Sequence, residues 1–206
     1  MPEGVLQPVG RVLWVAATRA ELAGLPESAW SVTTGCGPAA AAAGLALALA
    51  AGRPDRIVGV GIAGAYPSSP FRPPQVVRVD EDAFADLGAE SPSGFLDLWS
   101  LGVPDPGVEK RYLSEVPAFL SHLPGARGAT CSTCTGTLAT QRLRESTGAQ
   151  IETMEGAAWA LVASRCSIPF HQVRAISNAA GPRDRGGWRI PEALSALSTF
   201  LGSLPK

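Results

Sequence analysis

The sequence predicts a single α/β domain, residues 1–206, in which helices cover both faces of a central β-sheet. Short apolar runs of strand-like length alternate with longer helix-like segments along most of the chain. Strands that are separated by single helices favour a mostly parallel sheet. Hydrophobic residues make up 46% of the chain and charged residues 17%, which is typical of a globular protein with a continuous core.

The predicted elements follow one another in a regular order. Strands are predicted at residues 11–17, 30–34, 56–60, 75–79, 128–131, 150–152 and 171–177, and helices at residues 39–51, 137–147, 155–166 and 191–204. Pro38 suits the first turn of its helix, and Gly52 ends that helix. Residues 89–107 are rich in Pro, Gly and Ser, so they predict a long loop that serves as a lid or an interface.

Charge and hydropathy exclude two kinds of partner. The formal net charge of −1 gives no electrostatic reason to expect nucleic acid or an anionic membrane. The longest apolar run, residues 39–51, is shorter than the ~20 residues that a membrane span needs. The N-terminal segment lacks the basic and apolar regions of a signal peptide. We therefore expect a cytoplasmic protein.

Two motifs suggest cofactors that the remaining sequence does not support. Cys131 and Cys134 have CxxC spacing, but no second CxxC or His pair accompanies them, so we expect no metal and interpret the four cysteines as small buried thiols. A redox pair is the alternative. Residues 59–64 match GxGxxG, but Pro67 and Pro70 prevent the helix that a dinucleotide site requires. We therefore expect no cofactor. We expect these glycines to let a small ligand approach the end of the strand closely.

Three polar residues follow predicted strands, and we expect them to meet at one edge of the sheet. Glu21 follows the first strand, Glu155 follows the strand at 150–152, and Asn178 follows the strand at 171–177. A carboxylate at a helix start can accept hydrogen bonds from two sugar hydroxyls, while Met154 offers an adaptable apolar surface. The alternatives are a solvated helix residue at 21, a charged first turn at 155 and a turn cap at 178.

These segments resemble the superfamily of purine nucleoside phosphorylases and methylthioadenosine/adenosylhomocysteine nucleosidases. The matching pieces are residues 17–21 (ATRAE), 61–64 (GIAG), 80–81 (DE) with Asp86, 154–158 (MEGAA) and 174–178 (RAISN). The resemblance covers residue 12 to about residue 188. It implies a nucleoside phosphorylase-like fold with a twisted mixed sheet flanked by helices. It also implies cleavage of a small-molecule nucleoside at the N-glycosidic bond and assembly as a homo-oligomer.

The resemblance also implies roles for single residues. Glu21 becomes the general base that activates water, Glu155 binds the ribose 2′ and 3′ hydroxyls, and Asn178 contacts the N7 edge of the purine. Carboxylates beside the sugar suit an oxocarbenium-like transition state. The further substrate-binding residues that we predict are Met154, Ala63, Gly64, Thr133, Thr135, Arg183 and Trp188. The two threonines line the base pocket, or else they form a polar strand end.

Two departures from the superfamily pattern carry information about the reaction. Asn178 stands where adenine-specific nucleosidases have Asp, and an amide N–H suits an oxygen at C6, so we predict a hypoxanthine nucleoside. Ile62 stands where Ser is common and has no hydroxyl to hold phosphate, so we predict water as the nucleophile. Arg19 lies close to Glu21 in sequence and could bind phosphate, so a phosphorylase is an alternative function. A non-catalytic nucleoside sensor is a second alternative.

The segment after Asn178 resembles one hydrolase branch of the superfamily, as does Ala-Asp-Leu-Gly at 85–88. In that branch the substrate carries a benzoate on its 5′ arm and belongs to an alternative route to menaquinone. Arg183 or Arg185 would pair with the benzoate, and Trp188 or Tyr66 would stack on its ring. A solvated charged loop is the alternative for the arginines.

Overall fold

A computed structural model describes residues 10–92 and 94–204, and its α/β architecture confirms the predicted fold class. The predicted domain, residues 1–206, extends beyond the described residues at both ends. The helices are α1 (Pro38–Ala51), α2 (Leu138–Ser146), α3 (Gly156–Arg165) and α4 (Ile190–Gly202). The strands are β1 (Val12–Ala16), β2 (Ser31–Thr33), β3 (Arg56–Ala65), β4 (Val76–Asp82), β5 (Gly88–Ser91), β6 (Gly94–Asp97), β7 (Tyr112–Leu113), β8 (Gly125–Thr130), β9 (Ile151–Thr153) and β10 (Phe170–Ala179).

The main sheet of the described residues is mixed and partly closed. Its order is β10-β4-β8-β9-β3-β1-β2, and β7 pairs with β4. Because β10 also pairs with β3, the strands β10, β4, β8, β9 and β3 form a ring. The β3–β9, β4–β10 and β4–β7 pairings are antiparallel, whereas the other pairings of this sheet are parallel.

Strand β3 lies at the centre of this arrangement. Its residues 56–59 pair with β1, and its last two residues pair with β9. Strand β10 follows β3 from Ile57 to Ala65, with a register shift between Ile176 and Asn178. Such a bulge turns the following side chain away from its regular direction. The bulge therefore sets the position of Asn178 at the end of β10.

Helices pack on both faces of β3. Neighbouring residues of a strand point to opposite faces, so Ile57 and Val58 belong to different core clusters. Ile57 packs with Leu45 of α1 and Trp159 of α3. Val58 packs with Leu197 of α4. Burial of these apolar side chains, rather than local propensity, orders the glycine-rich centre of the sheet.

The structure corrects the sequence interpretation in three places. Strand β3 continues to Ala65, five residues beyond the predicted end at 60, because β10 and β9 supply partners for the glycine-rich segment. Residues 89–107 are not one long loop, since β5 and β6 form a two-stranded antiparallel sheet there. Strand β7 was not predicted. Among residues 10–92 and 94–204, no helix has the length and apolar character to cross a membrane.

Candidate active site

A cavity of about 420 Å³ lies where β1, β3, β9 and β10 end. Its wall contains nine of the ten residues that the sequence predicts for the site, namely Glu21, Asn178, Met154, Glu155, Ala63, Gly64, Thr135, Arg183 and Trp188. A second cavity, of about 510 Å³, is lined by Tyr112 and His171 among others and contains none of the ten. The strand ends therefore bring the predicted residues together, as the fold class suggests.

The Glu21 carboxylate is buried and held by three donors. It belongs to a 3₁₀ turn, Arg19–Leu22, that follows β1 directly, and only 7% of the residue is exposed. The backbone N–H and the hydroxyl of Thr18 donate to Oε2 at 2.9 and 3.0 Å. The N–H of Ile62 donates to Oε1 at 3.1 Å. The alternative of a solvated helix residue is therefore wrong, and the carboxylate has a fixed orientation at the cavity.

The Glu155 carboxylate does not cap its own helix. Glu155 is the N-cap residue of α3, yet its side chain makes no capping hydrogen bond. Its Oε1 accepts from the N–H of Gly37 at 3.2 Å, at the N-terminus of α1, where the helix dipole favours a negative charge. Its Oε2 accepts from Arg174 Nη1 at 3.4 Å. Only 5% of Glu155 is exposed, and the residue lines the cavity. Its carboxylate therefore serves the cavity and does not cap its own helix.

Arg174 is a buried cation beside the Glu155 carboxylate. Its side chain is fully buried, 5.1 Å from the Trp159 ring. A Cβ atom at Gly61 would lie 2.6 Å from Arg174 Nη1 and 2.7 Å from Glu21 Oε1. A side chain at position 61 would displace one of these two charged groups, and Gly61 therefore allows both to approach the strand closely. Sequence reasoning quoted Arg174 without a role, although a charged residue in an otherwise apolar strand was a usable signal.

Asn178 has one amide N–H directed to a local partner. Its Oδ1 accepts from the Ser177 hydroxyl at 2.7 Å, and its Nδ2 donates to the Ala179 carbonyl at 2.9 Å. An amide nitrogen carries a second N–H, which can donate to a ligand. A Cβ at Gly64 would lie 3.2 Å from Nδ2, so glycine leaves room for the amide. The Ala179 contact also suits a turn residue, and both predicted roles of Asn178 stay open.

Three predicted substrate contacts are not available in this geometry. Thr133 lies outside the cavity wall, where its N–H donates to Asp86 at 3.2 Å and its carbonyl accepts from Arg144 at 2.7 Å. Thr135 is in the wall, but its N–H and its hydroxyl both donate to Glu152. Tyr66 is fully buried and also donates to Glu152, at 2.9 Å, so the prediction that Tyr66 stacks on the substrate is wrong.

The end of the cavity formed by residues 183–194 combines positive charge with apolar surface. The Arg183 guanidinium lies 5.2 Å from the Trp188 ring, and that of Arg185 lies 6.0 Å from it. Ile190 and Leu194, from the first turns of α4, add apolar wall that sequence reasoning missed. An aromatic carboxylate is the kind of group that such a surface accommodates.

The residues near Glu21 favour water over phosphate as the nucleophile. The Ile62 side chain contributes to the wall and its N–H is used by Glu21. Arg19 is exposed and is not part of the wall. The lining therefore does not include Arg19, the cation that kept phosphate as an alternative in the sequence analysis.

Two cysteines also line the cavity, which corrects their interpretation as buried thiols. Cys36 and Cys134 are exposed, whereas Cys131 is buried and Cys166 is half-buried. Desolvation raises the pKa of the Cys36 thiol, and the negative charges of Glu155 and Glu21 raise it further. The pKa of Cys134 is lowered, chiefly by a hydrogen bond from Cys131.

The comparisons with known proteins assign the chain to a family and its fold to nucleosidase structures. A family model described as the phosphorylase superfamily matches residues 22–200. The S-adenosylhomocysteine nucleosidase structure from Streptococcus pyogenes aligns with a TM-score of 0.77 over 98% of this chain and 100% of its own, at 21% identity. The methylthioadenosine/S-adenosylhomocysteine nucleosidase structure from Streptococcus pneumoniae gives 0.76 over 94% and 100%, at 20% identity.

Curated relatives narrow the assignment. The futalosine hydrolase of Streptomyces coelicolor is 40% identical over 87% of this chain and 80% of its own length. The futalosine hydrolase of Thermus thermophilus is 36% identical over 83% of this chain and 78% of its own. The chain belongs to the phosphorylase superfamily and, within it, to the futalosine hydrolase family.

Proposed function

We propose that this protein is a nucleoside N-glycosidase that hydrolyses futalosine and releases hypoxanthine and dehypoxanthine futalosine. The observation that carries this proposal is the fixed Glu21 carboxylate, which lies across Gly61 from the Glu155–Arg174 pair at one cavity. The similarity to futalosine hydrolases names the substrate. The route to menaquinone is the metabolic context, and the cytoplasm is the expected location.

In the proposed mechanism Glu21 is the general base. It accepts a proton from water while the water oxygen bonds to C1′ of the ribose and the bond from C1′ to the purine nitrogen breaks, with its electron pair leaving on the base. Thr18 and Ile62 hold the carboxylate in one orientation, which reduces the reorganisation that the transition state requires.

Glu155 is the proposed sugar-binding residue. Each of its oxygens has one hydrogen-bond donor among the described residues, so lone pairs remain for the ribose 2′ and 3′ hydroxyls. Its negative charge stabilises the positive character that the sugar ring gains as the base departs. Arg174 positions the Glu155 carboxylate through its contact with Oε2. Met154 in the cavity wall supplies apolar contact with the sugar.

Asn178 is the proposed contact for the departing base. Its free N–H donates to the C6 oxygen or to the N7 edge of hypoxanthine, with Ala63 and Gly64 forming the adjacent wall. An amide has no proton to transfer, so the negative charge on the leaving base is stabilised by hydrogen bonding. Arg183 and Trp188 are the proposed contacts for the benzoate on the 5′ arm.

The decisive experiment measures hypoxanthine release from futalosine and from inosine, each with and without phosphate. Phosphate-independent cleavage of futalosine, with no cleavage of inosine, supports a hydrolase that recognises the 5′ side arm of its substrate. A requirement for phosphate would make the protein a phosphorylase and would remove the argument from Ile62. Binding of futalosine without turnover would favour the sensor.

Base specificity gives a second test. Asn178→Asp should shift the ratio of kcat/KM toward a 6-amino counterpart of futalosine by about 10-fold or more, because a protonated carboxyl can donate to N7 while its carbonyl accepts from the amine. Asn178→Ala is the matched control and should lower both activities without favouring either base. An unchanged ratio in Asn178→Asp would leave only the turn-cap role for Asn178.

We further propose a single domain over the whole chain that functions as a homo-oligomer with no nucleic acid or membrane partner. The hairpin β5–β6 is flanked by four exposed apolar residues, Leu87 directly before it and Trp99, Leu101 and Val103 after it. This is the surface that we expect a second subunit to cover. Sedimentation velocity of the purified protein measures the assembly state directly.

A further inference from the structure

The two cysteines of the CxxC motif meet at the cavity. Cys131 and Cys134 lie in the segment between β8 and α2, and their sulfur atoms are within 4.8 Å of one another. Cys134 is exposed and contributes to the cavity wall, while Cys131 is buried with its Sγ 3.4 Å from the Thr153 carbonyl. This segment has no regular secondary structure to hold its residues apart.

The two cysteines in the cavity wall differ in reactivity. The pKa of Cys134 is lowered chiefly by the hydrogen bond from Cys131; burial and the Glu152 charge oppose this shift, and the charges of Arg144 and Arg183 support it. Cys36 faces Glu155 and Glu21, and burial together with these carboxylates raises its pKa. A thiolate is the nucleophilic form of cysteine, so Cys134 is the more reactive of the two.

The surroundings favour dithiol chemistry over metal binding. Glu152 is the third potential ligand in this cluster. Its oxygens already accept from Tyr66, from Thr135 and from Arg144, with which it forms a buried ion pair. A metal would have to displace Arg144 from Glu152 and leave its buried charge with only the longer contact to Asp86, at 3.8 Å, which is costly. That leaves two adjacent thiols, one accessible and one buried, as the reactive groups.

We propose that Cys134 and Cys131 form a reversible disulfide on reaction with hydrogen peroxide and thereby switch the cavity to an inactive form. The Cys134 thiolate attacks one peroxide oxygen, the O–O bond breaks, and hydroxide leaves to give a sulfenic acid at Cys134. The Cys131 sulfur then attacks that sulfur and displaces the hydroxyl group as water. Two thiols and one peroxide give one disulfide and two waters, and a dithiol reductant reverses the change.

Disulfide formation would alter the wall of the cavity. Cys134 must move toward the buried Cys131, and Thr135 is its direct neighbour in the chain. The N–H groups of Ser132 and Thr133 donate to Asp86 at 2.8 and 3.2 Å and hold the middle of the segment in place. The displacement therefore falls on Cys134, which lines the site, and it strains the hydrogen bonds that hold the neighbouring Thr135 to Glu152. The loss of activity rests on the proposed function, whereas the disulfide itself does not.

Two readouts test the proposal separately. Reduced protein is treated with hydrogen peroxide, free thiols are alkylated, and intact mass and peptide mapping identify the linked residues. In parallel, hypoxanthine release from futalosine is measured before oxidation, after oxidation and after dithiothreitol. We expect a peptide that links Cys131 to Cys134, and a fall in kcat/KM of roughly 10-fold or more that dithiothreitol restores.

Matched variants assign the effect to the pair. Each variant is compared with its own reduced form, so that changes in basal activity do not enter the comparison. Cys131→Ser and Cys134→Ser should lose the reversible response, while Cys36→Ser and Cys166→Ser should keep it. The proposal would be overturned if both Cys131 and Cys134 can still be fully alkylated after peroxide treatment. It would also be overturned if Cys131→Ser keeps the reversible loss of activity. If the reduced enzyme has no turnover, the proposed function fails, and the peptide map still decides whether the disulfide forms.

Discussion

Two buried glutamates, three residues apart, have opposite surroundings. Glu152 and Glu155 are 7% and 5% exposed, and both contribute to the same cavity wall. Glu152 accepts from the Tyr66 hydroxyl, from the N–H and hydroxyl of Thr135 and from the Arg144 guanidinium. Glu155 accepts one hydrogen bond on each oxygen, at 3.2 and 3.4 Å.

The difference separates a structural carboxylate from one that is available to a ligand. Burial of a carboxylate is costly unless hydrogen bonds and an opposite charge compensate for it. At Glu152 the compensation is complete, and burial together with the Glu152 charge raises the pKa of Tyr66, so its hydroxyl stays a donor. At Glu155 the compensation is partial, which leaves lone pairs for sugar hydroxyls. Burial alone would not have distinguished the two residues.

The largest expected effect concerns Glu21, which shares the cavity with Glu155. Glu21→Gln should lower kcat for futalosine about 100- to 10,000-fold, because an amide cannot accept the proton of the attacking water. Nucleoside binding, measured by calorimetry, should be largely retained. Turnover within a few-fold of the native enzyme would assign the base to another residue.

The second prediction removes the charge of Glu152. Glu152→Gln should lower the free energy of unfolding by about 3–5 kcal/mol, because the buried Arg144 loses its nearer carboxylate partner and keeps only the 3.8 Å contact with Asp86. Chemical denaturation measures this loss, with the exposed Glu27→Gln as the control. Adding Arg144→Met to Glu152→Gln should recover part of the stability. A loss no larger than that of the control would show that the ion pair has no structural role.

The third prediction makes the same change at Glu155. Glu155→Gln should lower kcat/KM about 10- to 100-fold, since one sugar hydroxyl loses an ionised acceptor and the transition state loses a negative charge. Its stability should fall less than that of Glu152→Gln, since its hydrogen bonds are fewer and longer. The two variants are compared in activity assays below their unfolding transitions. If Glu152→Gln and Glu155→Gln lose equal stability and equal activity, the two glutamates do not have different roles.

The smallest expected effect concerns a buried titratable group away from this cavity. Burial lowers the pKa of His171 below its ordinary value of 6.5, with Arg56 acting in the same direction and Glu115 opposing it. An unfolded histidine binds a proton below 6.5, whereas folded His171 stays neutral until the pH is lower. Acidification through this range therefore favours the unfolded chain and lowers stability.

Thermal unfolding of His171→Asn between pH 7 and pH 5 checks this sign. The variant should lose part of the pH dependence, and His122→Asn, at an exposed histidine, should keep it. An identical pH slope in both variants would mean that the carboxylates alone set the acid sensitivity.

Part of the fold and site could be predicted because the signals are local. Alternating apolar runs predicted the main elements, and Pro67 and Pro70 predicted that no helix follows residues 59–64, as the structure shows. The hairpin β5–β6 was missed because its two strands have only four residues each and show no apolar alternation. Arg174 received no role and Cys134 was interpreted as a buried thiol, because the first depends on the distant Glu155 and the second on the lining of the cavity.

The sequence by itself determined the fold class, the family resemblance and the set of strand-end residues that could form a site. These follow from periodicity and from short motifs, which a chain carries before it folds. Only the tertiary structure decided which buried carboxylate is fully hydrogen-bonded, that Tyr66 and Thr133 are directed away from the cavity, and that two thiols meet at its wall. Those properties depend on distances between segments, because a hydrogen bond forms only where the closed sheet brings donor and acceptor together.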